Sequence, residues 1–150
     1  KLSPPLRSEE DRQALVAGVA DGIIDVMHSG HDPQSDDTKR LPFAEAAFGA
    51  VGLDTFLSVA LNLVHNQNID LARLSHALSE MPAKLLDLPQ GTLNPGAPAD
   101  FILVDPHLNW KVGPAKLHSR SKNSPFERRT LEGRTTQTWV AGRKVYSYVD

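Results

Sequence analysis

The sequence predicts an α/β fold. Three observations carry this reading. A capped amphipathic segment runs through a short turn into an apolar run with strand character. Two further segments place apolar residues at helical spacing, and roughly the last sixty residues turn β-rich.

Taken in order, the opening Lys1-Leu2-Ser3-Pro4-Pro5-Leu6-Arg7 reads as a loop, because adjacent prolines deny two backbone donors and hold the chain extended. Ser8 is a helix N-cap, with Glu9, Glu10 and Asp11 placed at the positive end of the helix dipole. Leu15, Val16, Val19 and Ala20 share one face of that helix, which stops at Asp21-Gly22. Residues 23–27 (Ile23, Ile24, Val26 and Met27 among them) read as a buried strand of a parallel sheet. That strand opens into a polar loop rich in histidine and aspartate. Barrels of the α/β class place their chemistry at the carboxyl ends of strands, so any site is expected between Asp25 and Gly52.

Beyond the loop, residues 52–64 carry Leu53, Phe56, Leu57, Ala60, Leu61 and Val64 at helical spacing, and residues 70–81 repeat the pattern with Leu71, Leu74, Ala77 and Leu78. Residues 82–88 form a third short helix with Pro82 at its first position. His65 and His76 read as surface or hydrogen-bonded structural histidines. Composition shifts at Pro89, and a domain boundary is placed near Leu88. Residues 91–100 are a turn-rich connector. Short β runs follow at 101–104, 110–112 and 135–149, the last broken at Ala141-Gly142 by a hairpin turn or bulge. Trp110 and Trp139 are expected to fill the core of this β-rich part.

The 150 residues suffice for one ordinary domain or part of a larger one. A net charge of −2 with mixed signs gives no polybasic stripe, so nucleic acid is not an expected partner. No apolar run approaches the roughly 20 residues that span a bilayer. The absence of cysteine excludes a disulfide framework and thiolate metal sites, and agrees with a cytoplasmic setting. Any metal must use histidine and carboxylate. His28 and His31 are spaced as two ligands could be, but with no third ligand structural hydrogen bonding is the favoured role, and His31 is only a weak metal candidate. Asp36 and Asp37 beside Lys39-Arg40 read as a solvated loop with local ion pairs.

Several stretches carry a family resemblance. Gly91-Thr92-Leu93-Asn94-Pro95-Gly96-Ala97-Pro98-Ala99-Asp100, followed by an apolar strand and Asp105, resembles the segment in which amidohydrolase-superfamily enzymes leave their barrel for a small β-sandwich. Ser3-Pro4-Pro5-Leu6-Arg7, Asp21-Gly22-Ile23-Ile24-Asp25-Val26 through Pro33, and Ser119-Arg120-Ser121-Lys122-Asn123-Ser124-Pro125-Phe126 resemble stretches of dihydroorotases, in the right order over nearly the whole chain. The resemblance implies the C-terminal piece of an amidohydrolase (β/α)8 TIM-like barrel, residues 1–88, plus part of a small β-sandwich, residues 89–150.

The implied reaction is the reversible closure of carbamoyl-aspartate to dihydroorotate in pyrimidine synthesis, on zinc, with an aspartate of the last strand shuttling the proton. The family loop reads Ser/Thr-Asp-His-Ala-Pro-His, where this chain has Ser29-Gly30-His31-Asp32-Pro33-Gln34. Gly30 stands at the catalytic and metal-contacting aspartate. Gln34 replaces a substrate-holding histidine and Ser3 a substrate-contacting asparagine, while Phe48-Gly49 matches the segment lining the substrate. Asp32 is the one nearby carboxylate that could substitute, and Lys122 and Asn123 read as structural.

These departures point to a non-catalytic homologue that serves as an assembly subunit of aspartate carbamoyltransferase. The alternatives are an active zinc-dependent dihydroorotase and a hydantoinase-like cyclic amidohydrolase. A full barrel needs about 250 residues, so the rest of the dihydroorotase barrel is expected as a partner and zinc is not expected to bind this chain alone. A homodimer is compatible with the resemblance.

Overall fold

The computed structural model describes residues 1–149. Helix α1 (Glu9–Ala20) starts where the sequence places it, because Ser8 and Asp11 form a reciprocal capping box. Ser8 Oγ accepts from the Asp11 amide at 3.2 Å and the Asp11 carboxylate accepts from the Ser8 amide at 3.2 Å. Only Val19 of its expected apolar face is buried. Leu15 is exposed, and it lines an open groove of about 600 Å³ together with Val16, Phe56 and Leu63.

The expected strand at 23–27 is not one. Among the described residues nothing pairs with it as a sheet neighbour, and an extended run without a partner strand has no ladder to join. The segment is instead tied to helices. Met27 donates to the Ala77 carbonyl at 3.1 Å, and Arg73 donates to the carbonyls of Val19 and Ile24, both at 2.7 Å. Ile24 and Met27 still pack against the core, whereas Ile23 is exposed.

Residues 36–40 keep the expected exposed ion pair, Arg40 with Asp36 at 3.4 Å, but not the expected loop. They form a one-turn helix α2 (Asp36–Lys39) capped by Ser35. The apolar pattern at 52–64 becomes α3 (Phe56–His65), and its neighbour becomes α4 (Leu71–Ser75), capped by Asp70. The separate helix expected from Pro82 is continuous with α4 through a π-helical turn (His76–Glu80), and α5 (Met81–Leu85) completes it. Proline has no N–H and crowds the carbonyl four residues back. The wider turn absorbs this, with the Met81 amide bonding to His76, five residues earlier.

The β-rich part is an antiparallel sheet in the order β1 (Phe101–Lys111), β2 (Thr130–Val140), β3 (Arg143–Ser147). The runs expected at 101–104 and 110–112 belong to one strand, interrupted by a bulge. Asp105 pairs with Arg134 and Asn109 with Glu132, so Pro106, His107 and Leu108 all stand opposite Gly133. Ala141 and Gly142, with φ of 48° and 72°, make a two-residue hairpin turn between β2 and β3, the first of the two forms expected there.

Helix α3 sits between two apolar clusters. Ala60 and Leu61 join Val19, Ile69 and Leu74 on one side, while Val59 packs towards Trp110, Val112, Leu117 and Leu131 on the other. The helix meets the sheet at Gly133, where φ is 90° and a Cβ would overlap the Leu61 side chain. Trp110 is a core residue. Trp139 is half-buried and stacks on Phe101 at 5.6 Å.

Candidate functional site

The 28–34 loop is fixed by its own polar groups. His31 Nδ1 accepts from the backbone amides of Gly52 (3.3 Å) and Leu53 (3.2 Å), just ahead of α3. His28 Nδ1 accepts from the Gly30 amide at 3.1 Å. The Asp32 amide reaches the Ala50 carbonyl at 3.0 Å, and the Asp32 carboxylate accepts from the Gln34 side-chain amide at 2.7 Å. Two positions that the sequence flags as substrate-contacting or catalytic, Gln34 and Asp32, are therefore bonded to each other.

Gly30 has φ of 57°, and a Cβ built on it meets nothing within 4 Å. The backbone thus holds a left-handed position with open space in front of it and no side chain to use that space.

Phe48 and Gly49 lie beside this loop. They line a cleft of about 710 Å³ with Lys1, Leu6, Lys39 and Asn123. The Lys1 ammonium stands 4.5 Å from the centre of the Phe48 ring. Lys39 is not solvated as the sequence suggests. Its ammonium donates to the carbonyls of Ala47 (2.8 Å), Gly49 (2.9 Å) and Lys1 (3.3 Å), which clamps the segment on the cleft wall. The Val51 amide donates to the Asn123 carbonyl at 2.8 Å, and Lys122 donates to the Leu117 carbonyl at 2.7 Å. Ser3 is exposed and is not among the residues lining this cleft.

The loop residues do not fit a metal ion. Gly30 offers no ligand atom, both histidine Nδ1 atoms face backbone amides, and the Asp32 carboxylate is engaged by Gln34. Among the described residues the group that could hold a metal is elsewhere. It consists of His65, His107 and Glu132, whose ligand atoms all lie within 4.8 Å of one another. The reading of His65 as a surface or hydrogen-bonded histidine is corrected here. Its side chain is 19% exposed, and neither ring nitrogen has a hydrogen-bond partner. This group was missed because its members are 42 and 25 residues apart in sequence, with no local spacing to connect them. The available signal was Pro106 inside a β run, since proline within a strand marks a bulge and His107 is the next residue.

A third polar pair joins the two parts of the chain. Asp54 accepts from His118 Nδ1 at 2.8 Å and from the His118 backbone amide at 3.2 Å. Burial pushes the Asp54 carboxyl up, but His118 and the amides of His118 and Ser119 outweigh it and leave the pKa below its ordinary value.

A family model for the amidohydrolase family matches residues 3–145. The chain is 42% identical over 149 residues to a dihydroorotase of Ehrlichia canis (strain Jake), covering 99% of this chain and 33% of that one. It is 46% identical over 146 residues to a dihydroorotase of Citrifermentans bemidjiense, covering 97% and 34%. An L-hydantoinase (dihydropyrimidinase) from Arthrobacter aurescens superposes with a TM-score of 0.92 at 32% identity, over 100% of this chain and 36% of that one. The chain spans about a third of the length of the curated relatives it matches. The family suggests a metal cofactor. No helix among the described residues is long and apolar enough to cross a membrane.

Proposed function

The chain belongs to the amidohydrolase family, and on that premise we propose that the protein is a dihydroorotase-like cyclic amidohydrolase homologue of pyrimidine metabolism whose scaffold is kept and whose proton-transferring carboxylate is lost. The observation that carries this reading is Gly30. The loop around it is built and braced, yet the position resembling the family's catalytic aspartate has open space and no side chain. Asp32 does not relieve the loss in this reading, because its carboxylate is held by Gln34 and packed against Gly49. Losing a catalytic acid or base costs about 10²–10⁴-fold in rate.

On this account residues 1–88 are the C-terminal part of a metal-dependent barrel, in which residues 23–27 become a strand only when the neighbouring barrel strand is present to pair with them, and residues 89–150 belong to the β-sandwich. The apolar groove beside Leu15 and Phe56 is where the rest of the barrel packs. Zinc is the family's metal, and the loop contributes no ligand to it. The remaining role is assembly with aspartate carbamoyltransferase. The test mixes the full-length protein with the aspartate carbamoyltransferase of the same organism and follows light scattering during gel filtration, beside a dihydroorotate assay. Co-elution without turnover is the expected result. Turnover without co-elution would replace the assembly reading.

A second reading is favoured by the superposition on the L-hydantoinase. There the protein opens a hydantoin-like ring with Asp32 in the role of proton carrier. Hydantoin hydrolysis by the full-length protein, abolished in Asp32→Asn, would establish it.

A further inference from the structure

We propose that His65, His107 and Glu132 form a binding site for a divalent transition-metal ion of the zinc class, clamping the end of α3 to the β1–β2 bulge. The proposal does not depend on the catalytic reading, because the group lies at the opposite end of α3 from the 28–34 loop. His31 bonds just ahead of the helix, whereas His65 is its last residue. The ten residues of α3, ending in His65, span about 15 Å.

Each ligand is placed by a separate feature of the fold. Helix α3 delivers His65 at its C-terminal end. The bulge opposite Gly133 turns His107 towards the neighbouring strand, and the His107 amide bonds to the Asp105 carboxylate at 2.9 Å, which fixes that turn. Glu132 stands on β2 next to the bulge, between the two imidazoles. One of its oxygens is hydrogen-bonded to His107 Nδ1 at 2.9 Å, a bond that an ion would replace, and the other is 3.7 Å from His65 Nδ1.

These separations suit a metal. Ligands at zinc–nitrogen and zinc–oxygen distances of about 2.0–2.2 Å in a tetrahedral site stand roughly 3.3–3.6 Å from one another. The two observed values bracket that range, so small side-chain rotations bring all three ligands onto one ion. The two imidazoles are stacked, 5.6 Å apart between centroids at 25°, and the three ligand atoms lie within 4.8 Å of one another. His65 supplies the second argument. Both its ring nitrogens are inaccessible to solvent and make no hydrogen bond, the Glu132 oxygen at 3.7 Å being beyond hydrogen-bond reach, an arrangement that a bound ion would relieve. The chemistry of the donors selects the ion. Two imidazole nitrogens and one carboxylate suit zinc, cobalt, nickel or copper, whereas magnesium and calcium prefer all-oxygen sites. The His107 side chain is 76% exposed, which leaves a fourth position open to water.

The test uses the full-length protein, stripped with a chelator and titrated with zinc alone, and separately with cobalt(II) as a spectroscopic probe. Wild type is compared with His107→Ala, Glu132→Gln and His65→Asn. The His107 change removes an exposed contact to Glu132 of the kind that adds little stability, so its metal-free unfolding is expected to stay close to wild type, and this keeps the test valid should His65→Asn unfold. Wild type should bind one more equivalent than His107→Ala and Glu132→Gln, or bind that equivalent at least about a hundredfold more tightly. The zinc-induced rise in unfolding temperature should shrink in the same variants. Equal stoichiometry, affinity and thermal response in wild type and His107→Ala would overturn the proposal, whatever ion the rest of the protein holds.

Discussion

Asp32 is packed so closely against Gly49 that position 49 has no room for a side chain. A Cβ on Gly49 would stand 2.5 Å from both the backbone oxygen and the carboxylate of Asp32, and φ at Gly49 is 111°. The Gly49→Ala variant therefore has both a clash and a strained backbone, and it should lose about 1–3 kcal/mol of stability. Gly113→Ala is the control, because a Cβ there meets nothing within 4 Å and its backbone is extended. Denaturant unfolding of the two variants should separate them clearly.

Ser58 links the helix to the sheet. Its hydroxyl accepts the Trp110 indole N–H at 3.0 Å and donates to the Gly133 carbonyl at 2.5 Å, and both Ser58 and Trp110 are buried. Ser58→Ala leaves a buried donor and a buried acceptor unmatched, at a cost of about 1–3 kcal/mol. Unfolding followed by tryptophan fluorescence should report the loss.

Lys39 holds the cleft wall through three carbonyls. Lys39→Met keeps the stem and removes the donors, so the segment around Gly49 should open more readily. Hydrogen exchange at the Gly49 amide, which bonds to the Lys1 carbonyl at 3.0 Å, should quicken by about tenfold while exchange in β2 stays unchanged.

The Asp54–His118 pair sets an acid limit. The folded-state pKa of Asp54 lies below its ordinary value, so its contribution is fully present above the unfolded carboxylate range near ~3.9 and is lost as pH falls through the folded value. His118→Ala should flatten the fall in stability below about pH 4. A variant whose acid limb matches wild type would show that the pair is not linked to folding.

Much of the fold is legible because it rests on local rules. Ser8 with Asp11 fixes a helix start, and Ala141-Gly142 fixes a hairpin turn. The irregular path of residues 23–27 is not legible, since an apolar run becomes a strand only where another strand bonds to it. The π-helical turn ahead of Pro82 and the bulge at Pro106 each follow from a proline, but their exact form depends on what packs around them. In the candidate site, the missing side chain of Gly30 is visible from sequence alone. The bonds that commit Asp32 to Gln34 and Lys39 to three carbonyls are not, because they depend on how the loop closes. The cluster at His65 was hidden for the same reason, with its three members brought together by the bulge and the helix end.

The most direct test of the account is whether restoring a carboxylate at Gly30 restores chemistry. The position has space for a side chain, and aspartate tolerates its φ of 57° better than most residues. The full-length protein and its Gly30→Asp, Gln34→His double variant would be assayed, zinc-loaded, for conversion between carbamoyl-aspartate and dihydroorotate. The account predicts background rates in the parent and a gain of at least about 10²-fold in the variant. Ready turnover in the parent, with no gain in the variant, would contradict it and return Asp32 to the centre of the site.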